Sequence, residues 1–227
     1  MKTIMTEAAA EAVVEYAKEN GIRFVFISGN GGSGKTEFAK QLIKQAQKYG
    51  HANAIDMDDF VVDTALRKSA SMTWTDEGKV FSGRCTTAFK AAYFLQNIHA
   101  IIANIANGND YLHWPKKALD FSECVTMYGD ACVTVIEGIG SVYLNKNLVR
   151  AVNVFMECDS DVEIARRLSR KRFSNEQNLE DIKKNAVERN SQFRALILPH
   201  REEHELILKS NEDFSVSVIK DLSEILK

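Results

Sequence analysis

The chain has two prolines in 227 residues, and no Pro-rich linker can be drawn from them. It has no low-complexity tract and no internal repeat, so one domain over residues 1–227 is the simplest reading. No apolar run approaches the length that spans a bilayer. The four cysteines, Cys85, Cys124, Cys132 and Cys158, are scattered without a C-x-x-C pair, which reads as reduced cytosolic thiols. Basic surplus is absent too: the formal net charge is −2, which disfavours a nucleic-acid partner. Near the start, Lys2 is soon followed by Glu7, Glu11 and Glu15 with no long apolar core. That pattern predicts an amphipathic helix from Ile4 to Glu19, ended by Asn20-Gly21, rather than a signal peptide. A soluble, cytoplasmic protein with no membrane partner is expected. Oligomeric state is left open, a homo-oligomer included.

What is present centres on Gly29-Asn30-Gly31-Gly32-Ser33-Gly34-Lys35-Thr36, a full match to G-x-x-x-x-G-K-[ST], the Walker A phosphate-binding loop or P-loop. An apolar run, Ile22 to Ile27, precedes it, and a helix-like stretch, Thr36 to Tyr49, follows. The glycines let the backbone turn tightly with its N–H groups pointing inward, towards the positive end of the following helix. Lys35 is placed to reach the β- and γ-phosphates of a nucleotide, and Thr36 to hold Mg²⁺. A plain Gly-rich turn has no need of a Lys-Thr pair at that spacing.

A second strand, Ala52 to Ile55, runs into Asp56-Met57-Asp58-Asp59-Phe60. In an open α/β sheet, ligands bind beyond the carboxyl ends of the strands, so these carboxylates should face the phosphates. A solvated acidic loop, or Asp59 capping a helix, is the alternative. The stretch Val61 to Gly83 gives no clear reading. Arg84 to Asn107 predicts one long helix, and 109–123 a loop. Ala131 to Ile136 reads as a strand ending in Glu137-Gly138, the Walker B pattern of an apolar strand closed by a metal-binding acid. Val152 to Glu157 reads as a strand and Asp159 as the start of a helix, with Glu163 placed as in a capping arrangement. That helix carries Arg166, Arg167, Arg170, Lys171 and Arg172, either a solvated basic face or a lid that closes over phosphates. Leu179 to Ile197 predicts a helix, Pro199 the opening of another, Phe214 to Ile219 a fifth strand near the sheet edge, and Leu222 to Leu226 a short helix. His200 to His204 matches H-x-x-E-H, but no further chelating pattern supports zinc.

Taken together, these pieces resemble the uridine kinase-like group of P-loop kinases, which includes uridine kinase, pantothenate kinase and phosphoribulokinase. Besides the P-loop, Asp58-Asp59-Phe60 resembles the family's Asp-x-Phe segment, Leu119-Asp120-Phe121 its Tyr-Asp-Phe segment, Val135-Ile136-Glu137-Gly138-Ile139 its Glu-Gly segment, and Arg166-Arg167-Leu168-Ser169-Arg170-Lys171 its Arg-rich lid. Leu119 and Lys171 depart from the residues found in members that phosphorylate nucleosides.

The resemblance implies a P-loop NTPase fold: a mainly parallel five-stranded sheet with helices on both faces, a lid at about 166–178 and an acceptor-side insertion at about 61–123. It implies ATP and Mg²⁺ as cofactors and a small-molecule hydroxyl as acceptor, with a nucleoside or related metabolite among the candidates. Asp58 would then be the catalytic base and a metal contact, Lys35, Arg166, Arg167 and Arg170 would stabilise the transferring phosphoryl group, and Thr36 and Glu137 would anchor Mg²⁺. Candidates for acceptor contacts are Asp59, Trp74, Arg84, Tyr111, His113, Trp114 and Asp120. The competing readings are a P-loop ATPase or GTPase switch, a kinase acting on a base or end of nucleic acid, and a nucleotide-binding regulator without turnover. The GTPase form lacks support because Asn145-Lys146-Asn147-Leu148 has no Asp where guanine recognition requires one.

Overall fold

A computed structural model describes residues 2–115, 124–169, 179–213, 215–223 and 225–226. Among them, seven strands form the central sheet. In spatial order they are β1 (Lys2–Met5), β11 (Ser215–Lys220), β10 (Leu206–Ser210), β9 (Ala151–Glu157), β2 (Phe24–Gly29), β8 (Val133–Glu137) and β3 (Ala52–Asp56). The five from β10 to β3 are mutually parallel, and β11 and β1 close one side antiparallel.

Every residue of β2 is buried, as a parallel strand covered on both faces requires. Its side chains alternate between two cores. Val25 and Ile27 pack with Val135 and Val154 against α1 (Thr6–Glu19) and α2 (Lys35–Ala46), and Phe24 and Phe26 pack with Ile55 and Ile136 on the opposite face. Fully burying one such side chain contributes ~1.5–3 kcal/mol, so a strand of this composition is held from both sides. The opposite core is completed by α4 (Leu95–Ala106), whose Ile98, Ile101, Ile102 and Ile105 are buried at helical spacing.

The α/β fold and the P-loop context stand as the sequence predicts, and several boundaries do not. Among the described residues the sheet has seven strands rather than five. The first four residues of the chain described pair as β1 with β11 instead of opening α1, with Ile4 turned onto the core. β11 therefore lies inside the sheet rather than at its edge. β10, unforeseen, follows a 3₁₀ turn at Leu198–Glu203 that carries Pro199 in its first turn. Among the described residues of 222–226 there is no helix, and the Asp221 carboxylate accepts from the Leu226 N–H at 3.2 Å.

The expected long helix from Arg84 is instead a strand end, a turn and a shorter helix. β5 (Lys79–Arg84) pairs antiparallel with β4 (Ser71–Asp76) in a hairpin that follows α3 (Thr64–Ser69). Thr86 then accepts from the Ala88 N–H at 3.2 Å and donates to Gln192 of α6 (Leu179–Leu196). A Thr whose hydroxyl bonds locally and across to another helix stabilises a turn over helix. β6 (Tyr111–His113), in the stretch expected to be loop, pairs antiparallel with β7 (Val125–Met127), which lies just beyond that stretch. α5 (Ser160–Ser169) follows β9. No helix among the described residues is long and apolar enough to cross a membrane.

Candidate active site

The P-loop joins β2 to α2 and depends on three glycines with positive φ: Gly29 at +136°, Gly32 at +76° and Gly34 at +87°. A side chain at Gly29 would collide with the Met156 carbonyl on the neighbouring strand, so the loop can leave the sheet here only as glycine. Lys35 opens α2 and is buried; its Nζ donates to the carbonyls of Asn30 at 2.6 Å and Gly29 at 3.1 Å. Burial pushes the Lys35 ammonium below its ordinary pKa, while the charges of Glu137 and Asp58 pull it back up.

One residue further, Thr36 Oγ1 donates to Glu137 Oε1 at 2.7 Å. Glu137 ends β8 and sits in register with Asp56 at the end of β3. It is buried, and burial raises its pKa; Lys35 opposes the shift, and Asp56 and Asp58 reinforce it. Gly138 follows at φ +148°, and a Cβ there would lie 2.5 Å from Met57 Cβ. The Glu-Gly pair thus lets β8 end against the 3₁₀ turn Met57–Phe60, which carries Asp58 and Asp59. The Asp56 carboxylate caps that turn by accepting from the Asp58 N–H at 2.9 Å.

On the far side of the turn, His113 Nε2 donates to Asp59 Oδ2 at 3.2 Å, and both side chains are more than nine-tenths buried. The His113 ring stacks on Phe60. A cavity of about 420 Å³ opens beside this group, bordered by Thr36, Asp56, Asp59, His113 and Glu137. The carboxyl ends of β2, β8 and β3 therefore bring together an anion cradle, a hydroxyl–carboxylate pair suited to a hard cation, and a turn of carboxylates.

Residues 24–217 match the profile of the Phosphoribulokinase / Uridine kinase family. The chain belongs to this family. A uridine kinase of Schizosaccharomyces pombe is 30% identical to it over 152 residues, 66% of this chain; the chain spans 32% of that relative's length. The fold is shared with D-glycerate 3-kinase of Cryptococcus neoformans var. grubii, with a TM-score of 0.60 at 11% identity over 94% of this chain and 97% of the other. It is also shared with a candidate fructose transport system kinase of Silicibacter sp. TM1040, with a TM-score of 0.51 at 17% identity over 88% of this chain and 93% of the other. The family consists of P-loop kinases that phosphorylate hydroxyl groups of metabolites, with ATP as the donor.

Within this kinase fold, the remaining predicted residues divide. Arg166 reaches the P-loop: Nη1 donates to the Gly32 carbonyl at 2.8 Å and to Ser210 Oγ at 3.0 Å, and Nη2 donates to the Asn211 carbonyl. Arg167 is the next residue of α5. Arg170, the lid onward to 178, and Leu119-Asp120-Phe121 lie outside the described residues. Tyr111 and His113 belong to β6, and Trp114 follows it, exposed.

Trp74 and Arg84 are engaged elsewhere, with α6. The Trp74 ring is buried against Phe81 and Phe89, and its Nε1 donates to Ser191 Oγ at 2.8 Å. Arg84 Nε donates to Glu188 Oε2 at 2.9 Å. The excursion that the sequence left unread is thus the hairpin that docks α6. The H-x-x-E-H match makes no paired-histidine face: His204 Nδ1 donates to the His200 carbonyl at 2.8 Å, and His200 Nδ1 donates to Glu203 at 3.0 Å. Three neighbours of the P-loop escaped sequence reading. Ser210 ends the unforeseen β10 and Asn211 follows it, and Glu163, expected to cap α5, accepts from Asn30 Nδ2 at 3.1 Å.

Proposed function

We propose that the chain transfers the γ-phosphoryl group of ATP to a hydroxyl of a small metabolite, with a nucleoside or a related compound as the first class to test. The observation that carries this reading is the convergence of Lys35, the Thr36–Glu137 pair and Asp58 at one end of the sheet. The donor set fits Mg²⁺, a hard cation that takes hydroxyl and carboxylate oxygens; Thr36 and Glu137 would hold it, with Asp58 within electrostatic reach. When bound, Mg²⁺ neutralises charge on the phosphates.

The remaining work belongs to the chain. The loop amides and Lys35 hold the β- and γ-phosphates. Asp58 takes the proton of the acceptor hydroxyl as its oxygen bonds to the γ-phosphorus and the bond from that phosphorus to the bridging oxygen breaks, releasing ADP. Arg166, Arg167 and Arg170 spread the charge that develops on the transferring group. The cavity bordered by Asp59 and His113 supports an acceptor site adjoining Asp58, with Tyr111, Trp114 and Asp120 as further contacts.

The test is ATP turnover with Mg²⁺ across nucleosides, pantothenate, glycerate, sugars and short oligonucleotides, with Asp58→Ala run in parallel. Transfer to one small acceptor, lost in the variant by ~10²-fold or more, is the expected outcome. Hydrolysis without any acceptor and indifferent to Asp58 would instead point to a switch-type ATPase.

A further inference from the structure

The P-loop is gripped from the side by α5. Glu163, one turn into that helix and only 5% exposed, accepts from Asn30 Nδ2 at 3.1 Å. The same Asn30 accepts through its side-chain oxygen from the Cys158 N–H at 3.3 Å, and its backbone carbonyl accepts from Lys35 Nζ at 2.6 Å. Two residues along the loop, a Cβ on Gly32 would lie 3.3 Å from the Glu163 Cα, so helix and loop are in contact there. Three of the loop's eight residues are glycines in the left-handed region, so the loop has little of its own to hold its shape. A buried carboxylate fixed on a helix supplies what the loop lacks.

We propose that Glu163 is a positioning residue for the phosphate donor: through the Asn30 side chain it fixes the segment of loop whose carbonyls orient Lys35. This rests on the kinase reading above, and it assigns a role to a residue outside the loop, the acidic turn and the arginines. In this role Glu163 acts through another residue: it accepts a hydrogen bond from Asn30 and so holds that side chain between α5 and the end of β9. Its negative charge also reaches Lys35, together with those of Glu137 and Asp58. Because the bond needs only an acceptor oxygen, an amide in place of the carboxylate should serve.

The experiment is calorimetric titration with Mg²⁺ and the non-hydrolysable β,γ-imido analogue of ATP, on the full chain without acceptor. Glu163→Ala is expected to weaken binding about tenfold, and Asn30→Ala to a similar degree. Glu163→Gln, which keeps an acceptor oxygen, should bind within about twofold of the wild type, and the double alanine variant should be little weaker than either single one. Acceptor KM should stay within about twofold in all variants that turn over. Should Glu163→Ala fail to fold, the Glu163→Gln and Asn30→Ala pair still decides. Wild-type affinity in Asn30→Ala, or a Glu163→Gln as weak as Glu163→Ala, or fully additive losses in the double variant would overturn the positioning role. A wild type that binds no nucleotide would overturn the kinase reading itself.

Discussion

Thr36 and Glu137 meet 2.7 Å apart although 101 residues separate them in the chain. One opens the helix after the P-loop and the other ends a neighbouring strand, so the parallel pairing of β2 with β8 creates the contact. Glu137 is buried beside Asp56 and Asp58, and its pKa is raised in the fold above its ordinary 4.5. A carboxylate with a raised folded pKa binds its proton more tightly when folded. Its ionisation therefore lowers stability as pH climbs from 4.5 through the folded value. Glu137→Gln removes that ionisation and keeps an acceptor for Thr36. The variant should gain ~1 kcal/mol at neutral pH, with the advantage fading towards pH 4.5, and should lose Mg²⁺-dependent turnover. Thermal melts from pH 4 to 8 check the sign; a wild type more stable than the variant at pH 8 would contradict it.

Gly138 is required by a close approach. At φ +148°, and with Met57 Cβ 2.5 Å from where its own Cβ would stand, Gly138→Ala must push the Met57–Phe60 turn away. Destabilisation of ~2–4 kcal/mol is expected, and turnover should fall further than stability explains because Asp58 rides on the displaced turn. Denaturant melts at 25 °C together with initial rates on the folded fraction separate the two effects. A folded variant with wild-type kcat would show that the position of the turn does not matter to the reaction.

The parts of this site carried by local pattern were legible in the sequence. Gly29 to Thr36, the strand that ends in Glu137-Gly138 and the Asp58-Asp59 turn each announce themselves within a few residues. What stayed hidden is decided by contacts across the chain. Glu163 reads as a helix cap because Ser160–Ser169 begins three residues before it; its buried position under Asn30 follows only from how α5 sits beside the loop. β10 was hidden because Leu206-Ile207-Leu208 is a short apolar run after a proline-opened turn, which periodicity cannot assign. The helix expected from Arg84 fails because Arg84 and Thr86 find partners on α6, more than 100 residues away.

Trp74 illustrates the same limit and yields a test. Its indole N–H is spent on Ser191 and its ring on Phe81 and Phe89, so the structure uses it to dock α6 on the β4–β5 hairpin. Trp74→Phe keeps a ring and removes the hydrogen bond. A loss of ~1 kcal/mol of stability is expected, with acceptor KM within about twofold of wild type. A tenfold rise in acceptor KM at unchanged Tm would put Trp74 in the acceptor site instead.

His113 offers the sharper question, because it borders the cavity and also holds Asp59. Its Nε2 donates to the Asp59 carboxylate while its ring lies flat on Phe60, so the β6–β7 hairpin is tied to the acidic turn at two points. His113→Phe preserves the stack and deletes the donor to a carboxylate that is only 6% exposed in its side chain. Loss of a charge-assisted bond at such a site costs ~1.5–3 kcal/mol. If His113 acts through Asp59, kcat and kcat/KM for the acceptor should fall together in His113→Phe and in Asp59→Asn, and the double variant should be no worse than either. If His113 instead contacts the acceptor directly, acceptor KM alone should rise in His113→Phe and the effects should add. Steady-state kinetics at saturating ATP distinguishes the two, with a melt on each variant to confirm that the comparison is made on folded protein.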